Sequence, residues 1–77
     1  FFDPKVSRDG SVSCASCHDP ARAFSDSRRV SLGVDHAVGR RQSMPLFNLA
    51  WRRGFFWDGR VTRLRDQVFH PIRDLKE

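Results

Sequence analysis

Both cysteines of this 77-residue chain fall in one pentad, Cys14-Ala15-Ser16-Cys17-His18. No other feature limits the fold as tightly. Below about 80 residues a side-chain core rarely stabilises a fold by more than a few kcal/mol, so a disulfide, a metal, a cofactor or further chain is expected to help. The length allows one small domain at most. The 39% hydrophobic and 12% aromatic content argues against disorder. No apolar run approaches the roughly 18 residues of a membrane span.

Four chemistries use such a pentad. A thioredoxin-type redox pair wants a strand before it and a long helix after it, whereas Pro20 follows here almost at once. A structural zinc site wants a second ligand pair, and only His36 and His70 remain, at poor spacing. A plain disulfide stays open. The reading that uses every residue is covalent attachment of a c-type haem, whose signature is C-x-x-C-H. Thiols three positions apart can add to the two vinyl groups of one porphyrin edge, and the adjacent imidazole is a normal iron ligand. Haem also meets the size problem. It offers a flat apolar surface to Phe24, Leu46, Leu49, Trp51, Phe55 and Val68.

Punctuation residues set the elements. Arg8-Asp9-Gly10 reads as a turn, with Ser11 capping a short helical turn into the pentad. Asp19-Pro20 is a cap followed by a first-turn proline. No period holds from Ser25 to Arg41, where Gly33 and Gly39 bracket a long polar loop. Leu46, Phe47, Leu49, Ala50 and Trp51 share a helical face that Gly54 can end. The cluster Phe55-Phe56-Trp57-Asp58-Gly59-Arg60 closes in a turn. Thr62 can cap a second helix carrying Leu64, Val68 and Phe69, which Pro71 stops. No alternating strand is evident. The expected class is mostly α with long loops. The first residues, Phe1-Phe2-Asp3-Pro4, lack an initiator methionine and an export signal, and both ends read as cut from a larger protein.

The net charge of +5 comes mainly from 12 arginines. They are not concentrated in one helix and no nucleic-acid motif accompanies them, so nucleic acid is not the expected partner. Arginine is the preferred partner of buried or interfacial carboxylates. Haem propionates or an acidic redox protein would fit, with a solvated, solubilising surface as the plain alternative.

Taken together, the chain resembles the N-terminal haem domain of bacterial di-haem cytochrome c peroxidases, the family that includes MauG-type enzymes. The resemblance rests on Phe1-Phe2-Asp3-Pro4, on Val12 through Pro20 around the pentad, on Gly39-Arg40-Arg41 with Asn48, on Phe56-Trp57-Asp58-Gly59-Arg60, and on Gln67 through Ile72. It covers nearly all 77 residues as a single partial c-type cytochrome domain, the N-terminal half of a larger di-haem enzyme. It implies a periplasmic peroxidase that reduces hydrogen peroxide. Electrons would come from a small donor, a cytochrome c or a copper protein, by way of a second haem in a C-terminal domain. Cys14 and Cys17 would be the thioether attachments and His18 the proximal iron ligand. Trp57 would lie between the haems, and Gln67 would face peroxide on the distal side. Arg41 and Arg60, with Arg40, are candidates to pair with propionates or a neighbouring acidic segment, although Arg60 can simply close the Asp58-Gly59 turn. Calcium between the domains is a further family feature, and Asn48 falls near that site.

The family's gating distal histidine follows a Ser-Ile/Leu-Gly stretch. Here Ser31-Leu32-Gly33 is followed by Val34, which cannot bind iron. His36, two residues on, is either a solvated loop histidine or a ligand brought round by loop adjustment. An open iron face would resemble MauG-like behaviour. His70 and Met44 are weaker ligand candidates, read first as a helix terminus and as packing. The alternative function is a mono-haem electron-transfer domain without peroxidase chemistry, which would usually supply Met or His as the sixth ligand.

Overall fold

A chain punctuated so often by glycine, proline and serine cannot sustain long helices, because each new helix must again meet the cost of its first turn. The computed structural model, which describes residues 1–76, shows this outcome. Five 3₁₀ turns, Pro4–Val6, Cys14–Ser16, Pro20–Arg22, Val34–His36 and Leu49–Trp51, precede two short α-helices. These are α1, Leu64–Gln67, and α2, Phe69–Arg73. Three isolated antiparallel bridges, Asp19 with Ser25, Leu32 with Val38 and Phe55 with Val61, each close a short loop.

The expected long loops are present, but the α content is small. The helix expected around residues 46–53 is a single 3₁₀ turn: Asn48 takes a left-handed φ of 53° and Arg52 is already extended, well before Gly54. Arg63, not Thr62, occupies the cap position of α1. Pro71 does not stop the last helix; it is the third residue of α2. A first-turn N–H has no intrahelical acceptor, so proline costs little there. His70 is the second residue of the five-residue α2 and belongs to its last turn, as expected of a helix terminus. Asp19 caps as expected, its side chain accepting from Ala21 N–H with Pro20 in first place.

The fully protein-lined core is Val34, Phe55 and Val61, and Phe55 N–H donates to the Val61 carbonyl at 2.7 Å. Twelve large apolar side chains are exposed, among them Trp51, Phe69, Ile72 and Leu75. With three residues buried against twelve exposed, the described residues do not cover their own apolar surface, as expected of a unit completed by a cofactor or by further protein.

Polar contacts do the organising instead. The loop of residues 25–43 is tied by serine hydroxyls. Ser25 Oγ donates to the Ser43 carbonyl at 2.8 Å, and the Ser31 and Ser43 hydroxyls meet at 2.7 Å. Val34 N–H donates to the Lys76 carbonyl at 2.8 Å. Gly33 lies so close beneath that carbonyl that a Cβ would strike it.

The firmest tie is an ion pair between a buried carboxylate and an exposed guanidinium. Asp26 is almost fully enclosed and receives two parallel bonds from the Arg28 guanidinium, Nε and Nη2, each at 2.8 Å. Arg28 N–H adds a third at 2.8 Å. Burial pushes the Asp26 pKa upward, but the bonds from Arg28 outweigh it and hold the carboxyl below its ordinary 3.8. A carboxylate depressed in the folded state contributes stability above its unfolded pKa and loses it as pH falls through the folded value. Asp26→Asn is therefore expected to destabilise by about 1–3 kcal/mol near neutrality. Urea midpoints of the parent protein and variant, compared as pH falls below 3.8, should converge. A gap that stays constant through that range would remove the ion pair from this role.

Candidate functional site

The pentad forms a tight turn. Ser13 N–H donates to Ser16 Oγ at 3.1 Å, and the N–H groups of Cys17 and His18 both reach the Cys14 carbonyl, at 3.2 and 2.9 Å. Both cysteines are half-buried and are not disulfide-bonded. Cys17 Sγ donates to the Leu32 carbonyl at 3.6 Å.

His18 Nδ1 lies 2.8 Å from the Phe24 carbonyl. A carbonyl only accepts, so Nδ1 carries the proton and Nε2 keeps its lone pair. A ring oriented through one nitrogen and basic at the other is how metal-ligating histidines are held. The backbone is bent to make this possible. Ala23 and Phe24 both adopt positive φ, 52° and 59°, which costs roughly 1–2 kcal/mol per non-glycine residue. Strain of this kind concentrates at functional sites.

Beside the pentad lies an apolar hollow of about 390 Å³ lined by Phe1, Phe2, Phe24 and Leu46. Backbone bonds hold its walls. Ala15 N–H donates to the Phe1 carbonyl at 3.2 Å, and Leu46 N–H to the Ala23 carbonyl at 3.2 Å. The Phe1 ring meets those of Phe2 and Phe24 edge-on, with centroids 5.0 and 5.8 Å apart. An imidazole nitrogen kept basic, two thiols in one turn and an apolar wall fit a haem attached through Cys14 and Cys17.

The second cluster surrounds Asp58. Arg60 Nη1 spans its two carboxylate oxygens at 3.0 and 3.1 Å, and Arg41 Nη1 lies 3.8 Å away. Desolvation acts to raise the Asp58 pKa, but the Arg60 backbone and guanidinium bonds and the Arg41 charge hold it below the ordinary value. Both arginines singled out for propionates thus already have a carboxylate partner. Arg60 also stacks 3.5 Å over the Phe56 ring, whose edge faces the His70 ring at 5.5 Å. Trp57 is 56% exposed, with its Nε1–H fixed to the Gln42 carbonyl at 2.8 Å.

Gln67 ends α1, and its Oε1 is buried without a protein donor. Val34 is only 1% exposed and belongs to the core. His36 is exposed at a left-handed φ of 56°. Met44 is half-buried and Asn48 exposed. Among the described residues no group of three or more His, Cys, Asp or Glu gathers to hold a metal ion. Of the expected apolar set, Phe24 and Leu46 reach the hollow, Phe55 enters the core, and Trp51 and Val68 face outward. Phe1 and Phe2 as pocket walls, and Arg28 as a tie to the pentad, were not expected. Their only sequence signals were aromatic pairing at Phe1-Phe2 and an Asp and Arg two positions apart.

The family model of the di-haem cytochrome c peroxidases matches residues 1–77. The chain belongs to that family. It is 46% identical over 72 residues to the methylamine utilization protein MauG of Methylorubrum extorquens, covering 94% of this chain and 20% of that protein. It is 39% identical over 71 residues to the cytochrome c peroxidase Ccp of Escherichia coli, covering 92% and 15%. With the cytochrome c551 peroxidase of Pseudomonas aeruginosa it shares 36% over 77 residues, covering 100% and 22%. The chain thus spans 15% to 22% of the length of these curated relatives. No described helix is long and apolar enough to cross a membrane.

An acceptor buried without a donor costs about 1–3 kcal/mol. Gln67→Leu removes that acceptor at similar volume and should be neutral or stabilising in thermal unfolding of the full-length protein. A loss of several degrees in Tm would show that Oε1 has a donor there.

Proposed function

We propose that this chain is the N-terminal, peroxidatic c-type haem domain of a di-haem peroxidase. It would reduce hydrogen peroxide in the bacterial periplasm with electrons from a small cytochrome c or copper protein, relayed through a second haem domain. The observation that carries this reading is the His18 Nδ1–H bond to the Phe24 carbonyl, which leaves Nε2 free within the C-x-x-C-H turn of a family member. Bound haem would supply the iron at which peroxide is reduced.

The chain's own residues then have distinct tasks. Cys14 and Cys17 would tether the cofactor and His18 Nε2 would ligate its iron. Phe1, Phe2, Phe24 and Leu46 keep water from the apolar edge. The orphaned Gln67 Oε1 can accept a hydrogen bond from a peroxide O–H, which would satisfy it only when substrate is bound. Trp57, exposed here with its indole N–H held by the Gln42 carbonyl, would be covered by the second haem domain. Arg41 and Arg60, both beside Asp58, would stiffen the turn that carries Trp57 and keep exposed donors for haem propionates. A mono-haem carrier would need a sixth protein ligand. The buried Val34 and exposed His36 do not provide one in this arrangement, which favours the enzyme.

The test is the full-length protein exported with the c-type maturation machinery. Covalent haem should be present on this segment and lost in the Cys14→Ala/Cys17→Ala variant, and part of the ferric spectrum should be high-spin and shift with cyanide. Gln67→Leu should keep the haem content but lower kcat/KM for peroxide about tenfold or more, the value of one lost hydrogen bond in the transition state. Absence of covalent haem would end the reading. A purely low-spin, cyanide-inert spectrum would move it to the electron carrier.

A further inference from the structure

Trp57 is joined to the pentad by an unbroken run of hydrogen bonds. Its indole Nε1–H donates to the Gln42 carbonyl at 2.8 Å. Gln42 Nε2 in turn donates to the Asp26 carbonyl at 2.8 Å. The Asp26 carboxylate grips the Arg28 guanidinium through two bonds of 2.8 Å, and Arg28 Nη2 donates to the Ser16 carbonyl, inside the pentad, at 3.0 Å. Gln42 thus meets the indole with its main chain and Asp26 with its side chain. The peptide it shares with Ser43 is held from the other edge as well. Ser43 N–H donates to Ser31 Oγ at 3.1 Å, and the Arg41 carbonyl accepts from Ser31 N–H at 3.2 Å. Trp51 is the contrast: it is 81% exposed, and among the described residues its indole makes no hydrogen bond.

We infer that Gln42 is a positioning residue for Trp57: its carbonyl sets the direction of the indole, and its side chain ties that carbonyl to the turn of Cys14, Cys17 and His18. This rests on the reading of Trp57 as the residue met by the second haem domain. An indole that is 56% exposed has little packing to hold it, so its direction comes from its polar edge. Indole only donates and a carbonyl only accepts, so the bond has one sense. Water can satisfy the same N–H, and the bond therefore contributes orientation more than energy. The Gln42 amide matters because the exposed stretch around it is otherwise held only through Ser31 and Ser43. Without Nε2 the carbonyl is free to turn toward solvent, and the indole with it.

The test uses the full-length protein, matured in the periplasm, with Gln42→Met, Gln42→Lys and Trp57→Phe. Gln42 is exposed, so neither substitution there opens a cavity. Deuterium exchange of the Trp57 indole N–H, followed by ultraviolet resonance Raman as the difference from Trp57→Phe, reads the bond without reference to turnover. Exchange should be about threefold to tenfold faster in Gln42→Met, the scale of one net hydrogen bond. Gln42→Lys keeps a donor of similar reach and should stay near the parent rate. In turnover, kcat should fall about twofold or more in Gln42→Met, in proportion to the indole population out of place, while kcat/KM for peroxide is unchanged. Three results overturn the inference: exchange no faster in Gln42→Met, equal acceleration in Gln42→Lys, which marks a general loosening of the loop, or an unchanged kcat in Gln42→Met where Trp57→Phe lowers it. If Trp57→Phe itself leaves kcat at the parent value, it is the reading of Trp57 that fails, and the exchange rates still decide whether Gln42 holds the indole.

Discussion

The pairing of buried Asp26 with Arg28 is the interaction on which the rest of this small structure depends. A three-residue core cannot fix the relative placement of five 3₁₀ turns and two short helices. The carboxylate–guanidinium pair supplies direction as well as energy, because its bonds are bidentate and its oxygens are already satisfied. One end reaches the pentad through Ser16, and the other reaches the 25–43 loop through Gln42 and the Asp26 backbone. Buried ion pairs are weak evidence for net stability but can fix a unique arrangement. Here the arrangement they fix contains the two thiols and the imidazole.

The candidate site stood out in the sequence more plainly than the fold around it. Cys14, Cys17 and His18 stood out because c-type haem attachment requires fixed sequence spacing. Asp19-Pro20 could be read because a cap and a first-turn proline act locally. The helices were overestimated where apolar periodicity was taken as sufficient. At Leu46 through Trp51 the left-handed Asn48 and the extended Arg52 divide the pattern into one turn. Pro71 was misread because its position relative to a helix start decides whether it breaks or begins an element.

What sequence could not reveal lies in contacts between distant, unpatterned residues. Neither the Phe24 carbonyl under His18 nor Arg28 over the pentad has a periodic signature. Both depend on a loop closed by serines and on two consecutive left-handed residues, Ala23 and Phe24, that no glycine announces. Arg41 and Arg60 illustrate the converse. Their charge suggested a ligand, and the structure shows a neighbouring aspartate beside both.

The bond from Val34 N–H to the Lys76 carbonyl also sets an order of events. A chain made from its N-terminus presents the pentad early and Lys76 late. At about 5–20 residues per second, several seconds separate Cys17 from Lys76. During that interval the loop bearing Gly33 and Val34 lacks its bond to Lys76. The loop around Gly33 therefore closes only against a segment that lies far along the chain from it.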